Sequence, residues 1–460
     1  MKNLTLIIMI FLSSGCGALL KTEYQRPAVV IPEHWNQRNT GTSWVAHSSH
    51  WWDTFEDPQL SRAINDVLVA NNDLAAAGFR LQQARLDSQL ANTNLTPEVT
   101  TSGSASNSKN TRRDTNAIEN YSVSVGLSYE LDLWGKLART REQSAWLAEA
   151  SALDRQNTAL MLIGTTSQYY WLIGNLNQKI ANNQRSLELA NETESIITSR
   201  YHAGYVSKLD LLQATQSRLD QTNNLADLVQ QREEARNSLA ILFNRPSSVR
   251  LSERAGLDLS QTIALSPELP LTVISRRPDV QSAEWQLRAA LAGSDVAKLN
   301  FYPSLSLNAS LAAGSNLFTQ WFTNPARTLG STVALPFIQW NTVELTVKRS
   351  RLDVDIAAAT FRDKVYAALA DVEKSITQRQ TSELQRQNAL QSLAMSQQRL
   401  VLAKSQYLSG AVSIQSWLDA QDNLLAVENQ LADIQNSYLN STLQLWMALG
   451  GENIPEPPSA

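Results

Sequence analysis

At 460 residues, with a formal net charge of −4 and a pI near 5.7, the chain has room for two or three ordinary domains or one internally repeated architecture, and it lacks the large basic surface that nucleic acid would need. One cysteine and four histidines rule out a disulfide framework and leave little material for a metal site.

The first element is an address. "MKNLTLIIMIFLSSGC" places Lys2 before an apolar run from Leu4 to Leu12 and then small residues, the layout of a secretory leader over 1–15. "SSGC" resembles a bacterial lipoprotein cleavage box ending in Cys16, with Ser13 where such boxes carry Leu. Cys16 is thus the candidate lipidation site, and a plain leader with an incidental cysteine is the alternative. Gly17, in place of Asp, fits sorting to an outer membrane. One lipid chain holds a protein only marginally, so a second attachment is expected. No later stretch has the eighteen or more consecutive apolar residues of a spanning helix; "ALMLIGTTSQYYWLIG" from Ala159 is interrupted by Thr, Ser and Gln. Between 16 and 72, His34, His47 and His50 lie among Trp44, Trp51 and Trp52 without helical spacing, a pattern of local packing. No nucleophile-base motif or phosphate loop accompanies them, so neither an enzyme, a metal nor a cofactor is expected beyond a covalent lipid on Cys16.

A weak strand, "EVTTSGSAS", follows Pro97, and "SVSVGLSYELDLW" from Ser122 alternates without a break. Val123, Val125, Leu127, Tyr129, Leu131 and Leu133 share one face, and Ser122, Ser124, Gly126, Ser128, Glu130 and Asp132 the other, which is the period of a strand with one greasy and one wet side. No proline occurs between Pro97 and Pro246, so a long helix is permitted from Gly135 to Gly204, about 100 Å at ~1.5 Å per residue. Gly204 interrupts that pattern in "RYHAGYVSKLDLLQA", where positive φ would turn the chain, and Ser207 stands where a hydroxyl caps the next helix. The segment 246–278 holds four prolines and reads as a linker.

The second half repeats the plan. "SLSLNASL" from Ser304 alternates Leu305, Leu307, Ala309 and Leu311 against polar residues, and Leu329, Val333, Leu335 and Phe337 follow a loop around "NLFTQWFTN". A second proline-free tract runs from Pro336 to Pro455, broken at Gly410 in "QYLSGAVSIQSWLDA", with Ser413 as its cap. Beyond Gly410, Trp417, Ala420, Leu424, Val427, Leu431, Ile434, Tyr438 and Leu445 form one apolar row. Leu418, Leu425, Ala432, Leu439 and Trp446 form another, so this helix should be buried on two sides. A constant shift of 206, from Gly204 to Gly410, also places Pro97 on Pro303, Asn94 on Asn300, Leu81 on Leu287 and Asp73 on Asp279. The chain is a tandem duplication, 73–245 and 279–451, flanked by 16–72 and a tail at 452–460.

Four strands per chain fall short of the eight with which bacterial barrels begin, and a sheet in lipid must close on itself. If the strands lie in a membrane, several copies must share one barrel, continued by a cylinder of helices. A periplasmic coiled-coil adaptor or scaffold lipoprotein is the alternative; it would lack the strand pairs and the whole-chain duplication.

The stretches "YQRPAVVIPEHW", "WWDTFEDPQLSRAINDVLVANNDLAAAGFRLQQAR", "ELDLWGKL", "RRPDV" and "FYPSLSL" together resemble outer-membrane efflux lipoproteins of the NodT type, in the TolC family, over nearly the whole mature chain. The resemblance implies an α+β membrane protein: a homotrimer with a twelve-stranded transmembrane β-barrel, a long periplasmic α-helical barrel, and an equatorial belt that includes the N-terminal segment 16–72, the C-terminal segment and the linker 246–278. It implies an exit channel for drugs, toxic compounds or metal ions, working with a periplasmic adaptor and an inner-membrane pump of RND type. It also makes Gly204, Val206, Ser207, Gly410, Val412 and Ser413 the adaptor-contacting tips of the helical hairpins. The same resemblance places Asp419 on a carboxylate ring that narrows the periplasmic mouth, and Asp210 on a position that tethers the closed tip to Tyr407 and an Arg. Ser416 stands where some relatives have a second Asp, and Val412 replaces that Arg.

Overall fold

The computed structural model describes residues 20–30, 50–109, 111–112, 116–246, 248–259, 261–263, 271–320, 322 and 324–451, with the backbone alone at 271–273. The leader 1–15, Cys16, His34, Trp44, His47 and the tail 452–460 lie outside the described residues.

Helix α1 (Pro58–Ala70) starts at Asp57, whose carboxylate accepts from the amides of Gln59 and Leu60, with Pro58 in the first turn, where its missing N–H is not needed. Asn71 does the same for α2 (Asn72–Asn92), accepting from the amides of Asp73 and Leu74. Next come β1 (Glu98–Ser108), β2 (Ile118–Leu131), and the helical hairpin α3 (Lys136–His202) and α4 (Lys208–Leu242). After the linker the order recurs as α5 (Pro278–Leu299), β3 (Ser304–Ser315), β4 (Pro325–Ala334), α6 (Trp340–Leu408) and α7 (Ile414–Ala448). The long helices α3 and α6 have 67 and 69 residues. Among the described residues no helix is long and apolar enough to cross a membrane.

Two strands are shorter than their alternation suggests. β2 stops at Leu131 because Asp132 turns its carboxylate onto the amides of Leu137 and Ala138, 2.9 and 2.8 Å away, and so starts α3. β4 stops at Ala334 because Pro336 has no donor for the ladder and opens a 3-10 turn, leaving Leu335 and Phe337 outside the strand.

The chain divides into two compact units, and each half of the duplication contributes to both. One comprises the described part of Met1–Val29 with Phe79–Leu153 and Gln281–Lys364. It holds a single antiparallel sheet in the order β1-β2-β3-β4. On its polar face the Ser102 and Ser124 hydroxyls meet at 2.8 Å, as do those of Ser104 and Ser122. Arg139 and Asp295 form a buried ion pair at 2.8 Å, with side chains 3% and 5% exposed. Asp295 also accepts from the Thr22 amide at 3.1 Å, and Arg139 donates to the Thr22 carbonyl at 3.2 Å, which ties down the N-terminal segment. Removing one member of such a pair would strand a buried charge at a cost of about 3–5 kcal/mol.

The other unit comprises the described parts of Val30–Gly78, Asp154–Val280 and Val365–Ala460. Its core gathers Trp51, Trp52, Phe55, Ile163, Tyr170, Trp171, Tyr438, Leu439 and Met447. The local packing expected of the Trp and His residues is present in the described part: His50 meets Trp52 edge-on at 5.1 Å, and Trp51 stacks on Trp446 at 5.9 Å. Helix α7 is buried along most of both expected rows, with Leu424, Ile434 and Trp446 half-buried and Gln421 and Gln435 buried beside them. The linker is held at Ile263: the Tyr438 hydroxyl accepts from the Ile263 amide at 2.7 Å, and Arg379 lies 3.7 Å over the Tyr438 ring while donating to the Ile263 carbonyl at 2.8 Å.

Candidate functional site at the hairpin tips

Both turns that join the long helices are closed by glycine. Gly204 has φ of 77° and Gly410 has φ of 81°, and a Cβ at either would meet nothing within 4 Å, so backbone conformation and not space demands glycine. The bonds around them match. Gly204 donates to the Tyr201 carbonyl and Tyr205 to that of Arg200; Gly410 donates to Tyr407 and Ala411 to Gln406. Each turn is therefore a Schellman motif, which satisfies the last carbonyls of α3 and α6.

The caps that follow differ. The Ser207 hydroxyl accepts from the Asp210 amide at 3.2 Å, while the Asp210 carboxylate accepts from the Ser207 amide and hydroxyl, each at 2.8 Å: a reciprocal capping box. Ser413 has extended cap geometry but no side-chain cap bond, contrary to the expectation from sequence. The Ser416 amide, which the hydroxyl would cap, donates instead to the Ser413 backbone carbonyl at 3.2 Å, and Ser416 also lacks the carboxylate that completes the first box.

The tips share one buried cluster: Ile197 of α3, Ala214 of α4, Tyr407 of α6, and Ile414, Trp417 and Leu418 of α7. Val206 and Val412 pack partly against it, while Tyr205, Leu209 and Leu212 remain 81%, 64% and 56% exposed. Tyr407 and Trp417 lie 5.3 Å apart. The Tyr407 hydroxyl and the Trp417 indole N–H are buried without a hydrogen-bond partner, so Asp210 and Tyr407 are not joined in this arrangement. Arg200 of α3 lies 5.2 Å over the Tyr407 ring and donates to the Leu408 carbonyl at 3.3 Å. Lys404 of α6 pairs with Glu192 of α3 at 2.9 Å and stands 5.7 Å over Trp417.

Asp419 is exposed and accepts from Gln415 at 2.7 Å. One turn further, Asp422 accepts from Gln221 of α4 at 3.1 Å. Partial desolvation, and then the neighbouring carboxylates of Asp419 and Asp220, push the Asp422 carboxyl above its ordinary pKa, against the Gln221 hydrogen bond. The family resemblance singles out Asp419; Asp422 becomes noticeable only through α4, which supplies Asp220 and Gln221. Among the described residues no group of three His, Cys, Asp or Glu side chains is placed to hold a metal ion.

A doubled strand pair with open edges and two long helical hairpins are the parts of an outer-membrane channel protein. The model of the outer membrane efflux protein family matches residues 63–245 and 269–451, two segments displaced by the same 206 residues, and the chain belongs to that family. It is 28% identical to the pyoverdine export outer membrane protein OpmQ of Pseudomonas aeruginosa over 98% of this chain and 97% of OpmQ. It is 26% identical to the probable outer membrane lipoprotein SilC of Salmonella typhimurium over 97% of each. The solved structure of CusC superposes with a TM-score of 0.84 at 24% identity, covering 94% of this chain and all of that one, which bears out the TolC-like fold. The protein is an outer-membrane efflux channel whose helices extend into the periplasm, and the adaptor reading that the helical hairpins alone would allow is set aside.

Proposed function

We propose that three copies form one conduit, a twelve-stranded barrel continued by a ring of helical hairpins, that receives substrates from a periplasmic adaptor and an inner-membrane pump of RND type. Cys16 carries the lipid that adds to barrel insertion, a reading supported by the lipoprotein name of SilC. The conduit itself sets little selectivity, so drugs, other toxic compounds or metal ions are chosen by the pump.

The observation that carries the gating part of this reading is the buried cluster joining both hairpin tips around Tyr407 and Trp417. It holds the α6–α7 hairpin against α3 and α4, and two buried donors without partners, each costing about 1–3 kcal/mol, keep that hold from being strong. Opening gives both donors access to water. Asp419, once per subunit, forms the carboxylate ring at the mouth, where like charges repel and cations are favoured. Asp210 acts first as a helix cap, and the exposed Tyr205, Leu209 and Leu212, with the two glycine turns, offer apolar surface to the adaptor.

Gly204→Val and Gly410→Val test this reading, because a β-branched residue at positive φ forces the turn to rearrange. Trimers should still be recovered from the outer membrane while adaptor-dependent export is lost. Loss of trimers would place these glycines in assembly, and unchanged export would remove the tips from the adaptor contact.

A further inference from the structure

The sheet is open on both sides: β1 and β4 each have one partner within the chain and are exposed along their length. Open edges are not tolerated in lipid. We propose that β4 of one copy pairs antiparallel with β1 of the next in a single register, with Thr332 opposite Ser104 of the neighbouring copy. The proposal rests on the oligomeric reading above and adds to it a residue-level seam.

The register follows from the duplication, which the strands keep to the residue. Glu98 pairs with Ser128 in β1 and β2, and advancing both by 206 gives Ser304 and Ala334, which pair in β3 and β4. Ser104 and Ser122 likewise become Ser310 and Thr328, again a pair. The contact between the halves is β2 with β3, where Gly126 faces Ser310, Ser128 faces Asn308 and Ser124 faces Ala312. In a closed ring the contact between copies is the same junction: β4 takes the place of β2, and the neighbour's β1 that of β3. Moving the first member of each pair forward by 206 and the second back by 206 sets Thr332 on Ser104, Ala334 on Ser102 and Gly330 on Ser106.

Side-chain chemistry agrees. This register lays Val333 across from Gly103 and Leu329 across from Asn107, continuing the face of Val123, Val125 and Leu127. Thr332 and Ala334 fall on the face where the Ser102 and Ser104 hydroxyls already pair with Ser124 and Ser122. A slip of one residue would invert both faces. A slip of two would not, and here a tryptophan decides. Trp134 donates from Nε1 to the Pro303 carbonyl at 2.6 Å at the junction of the halves. Shifted by 206, these residues are Trp340 and Pro97, and Trp340 is 67% exposed in the single chain. The proposed register brings the Trp340 indole to the Pro97 carbonyl of the neighbouring copy, whereas a two-residue slip carries it roughly 7 Å away.

The test is disulfide trapping in the full-length protein in outer membranes, where Cys16 is the only native cysteine. Within one chain β1 and β4 are separated by two strands, roughly 14 Å at strand spacing, so a bond between them must join two copies. Mild oxidation of the Ser104→Cys, Thr332→Cys protein is expected to give a covalent trimer. Pairing Thr332→Cys with Ser102→Cys or Ser106→Cys should be slower by about tenfold or more. Faster trapping by a displaced pair overturns the register while copies still meet edge to edge. No trapping by any pair in an oligomer that remains intact overturns the edge contact, and a chain recovered only as monomer overturns the oligomeric reading on which it rests. Trp340→Phe is expected to lower the temperature at which the oligomer dissociates in detergent; an unchanged temperature removes the bond to Pro97.

Discussion

At the first hairpin tip Asp210 and Ser207 satisfy each other in a capping box and leave Tyr205, Leu209 and Leu212 exposed. At the second, Ser413 caps nothing through its side chain, and Trp417 is instead buried to 1% exposure beneath Lys404 and beside Tyr407. The turns are alike to the hydrogen bond, but the exchange of Asp210 for Ser416 and of Leu211 for Trp417 leaves one hairpin a self-capped end with exposed apolar residues and the other an end held by its neighbours. A duplication thus fixes the geometry of a tip once and leaves its hold on the adjacent hairpin to a few side chains.

The strongest way to break this comparison is truncation at equivalent positions. Trp417→Ala empties a buried site and should cost about 3–5 kcal/mol of local stability, seen as faster amide exchange across the ends of α6 and α7. Leu211→Ala, at the matching place but only half-buried against the same cluster, should change exchange less. A smaller effect, about 1 kcal/mol, is expected at the caps: Ser207→Ala should speed exchange in the first turn of α4, whereas Ser413→Ala should leave the first turn of α7 unchanged. Ser416→Asp would sharpen the contrast by supplying the missing half of a box, and should slow exchange there.

The smallest effect concerns pH. The raised pKa of Asp422 means that the folded tip holds a proton more tightly than the unfolded chain does, so tip stability should rise as pH falls through the folded value and be lost as pH rises above it. Acidification is therefore expected to reduce channel conductance by relieving repulsion among Asp422, Asp419 and Asp220, and Asp422→Asn should flatten that response.

Much of this was legible in the sequence. Alternation from Val123 to Leu131 marks a strand because two-residue periodicity has few other causes, and Gly204 and Gly410 stand out because long helical patterns stop there. The shift of 206 was visible from matched residues, and it proved to govern strand register as well. What escaped notice depends on residues distant in the chain. Arg139 and Asp295 lie 156 positions apart, Arg200 reaches the Leu408 carbonyl across 208, and Gln221 reaches Asp422 across 201. No local period reports such pairs, since each exists only once the hairpins are packed. Ser413 shows the converse: its position and backbone suit a cap, but the Ser416 amide donates to the Ser413 carbonyl and leaves the hydroxyl without a cap bond, a choice between two local acceptors that the sequence does not display.

The most direct test of the account is single-channel recording on reconstituted protein carrying Trp417→Ala or Leu211→Ala. If the second hairpin tip holds the mouth closed, Trp417→Ala should conduct more than the unmodified protein while Leu211→Ala matches it. Equal conductance from the two variants would contradict the division of roles between the tips.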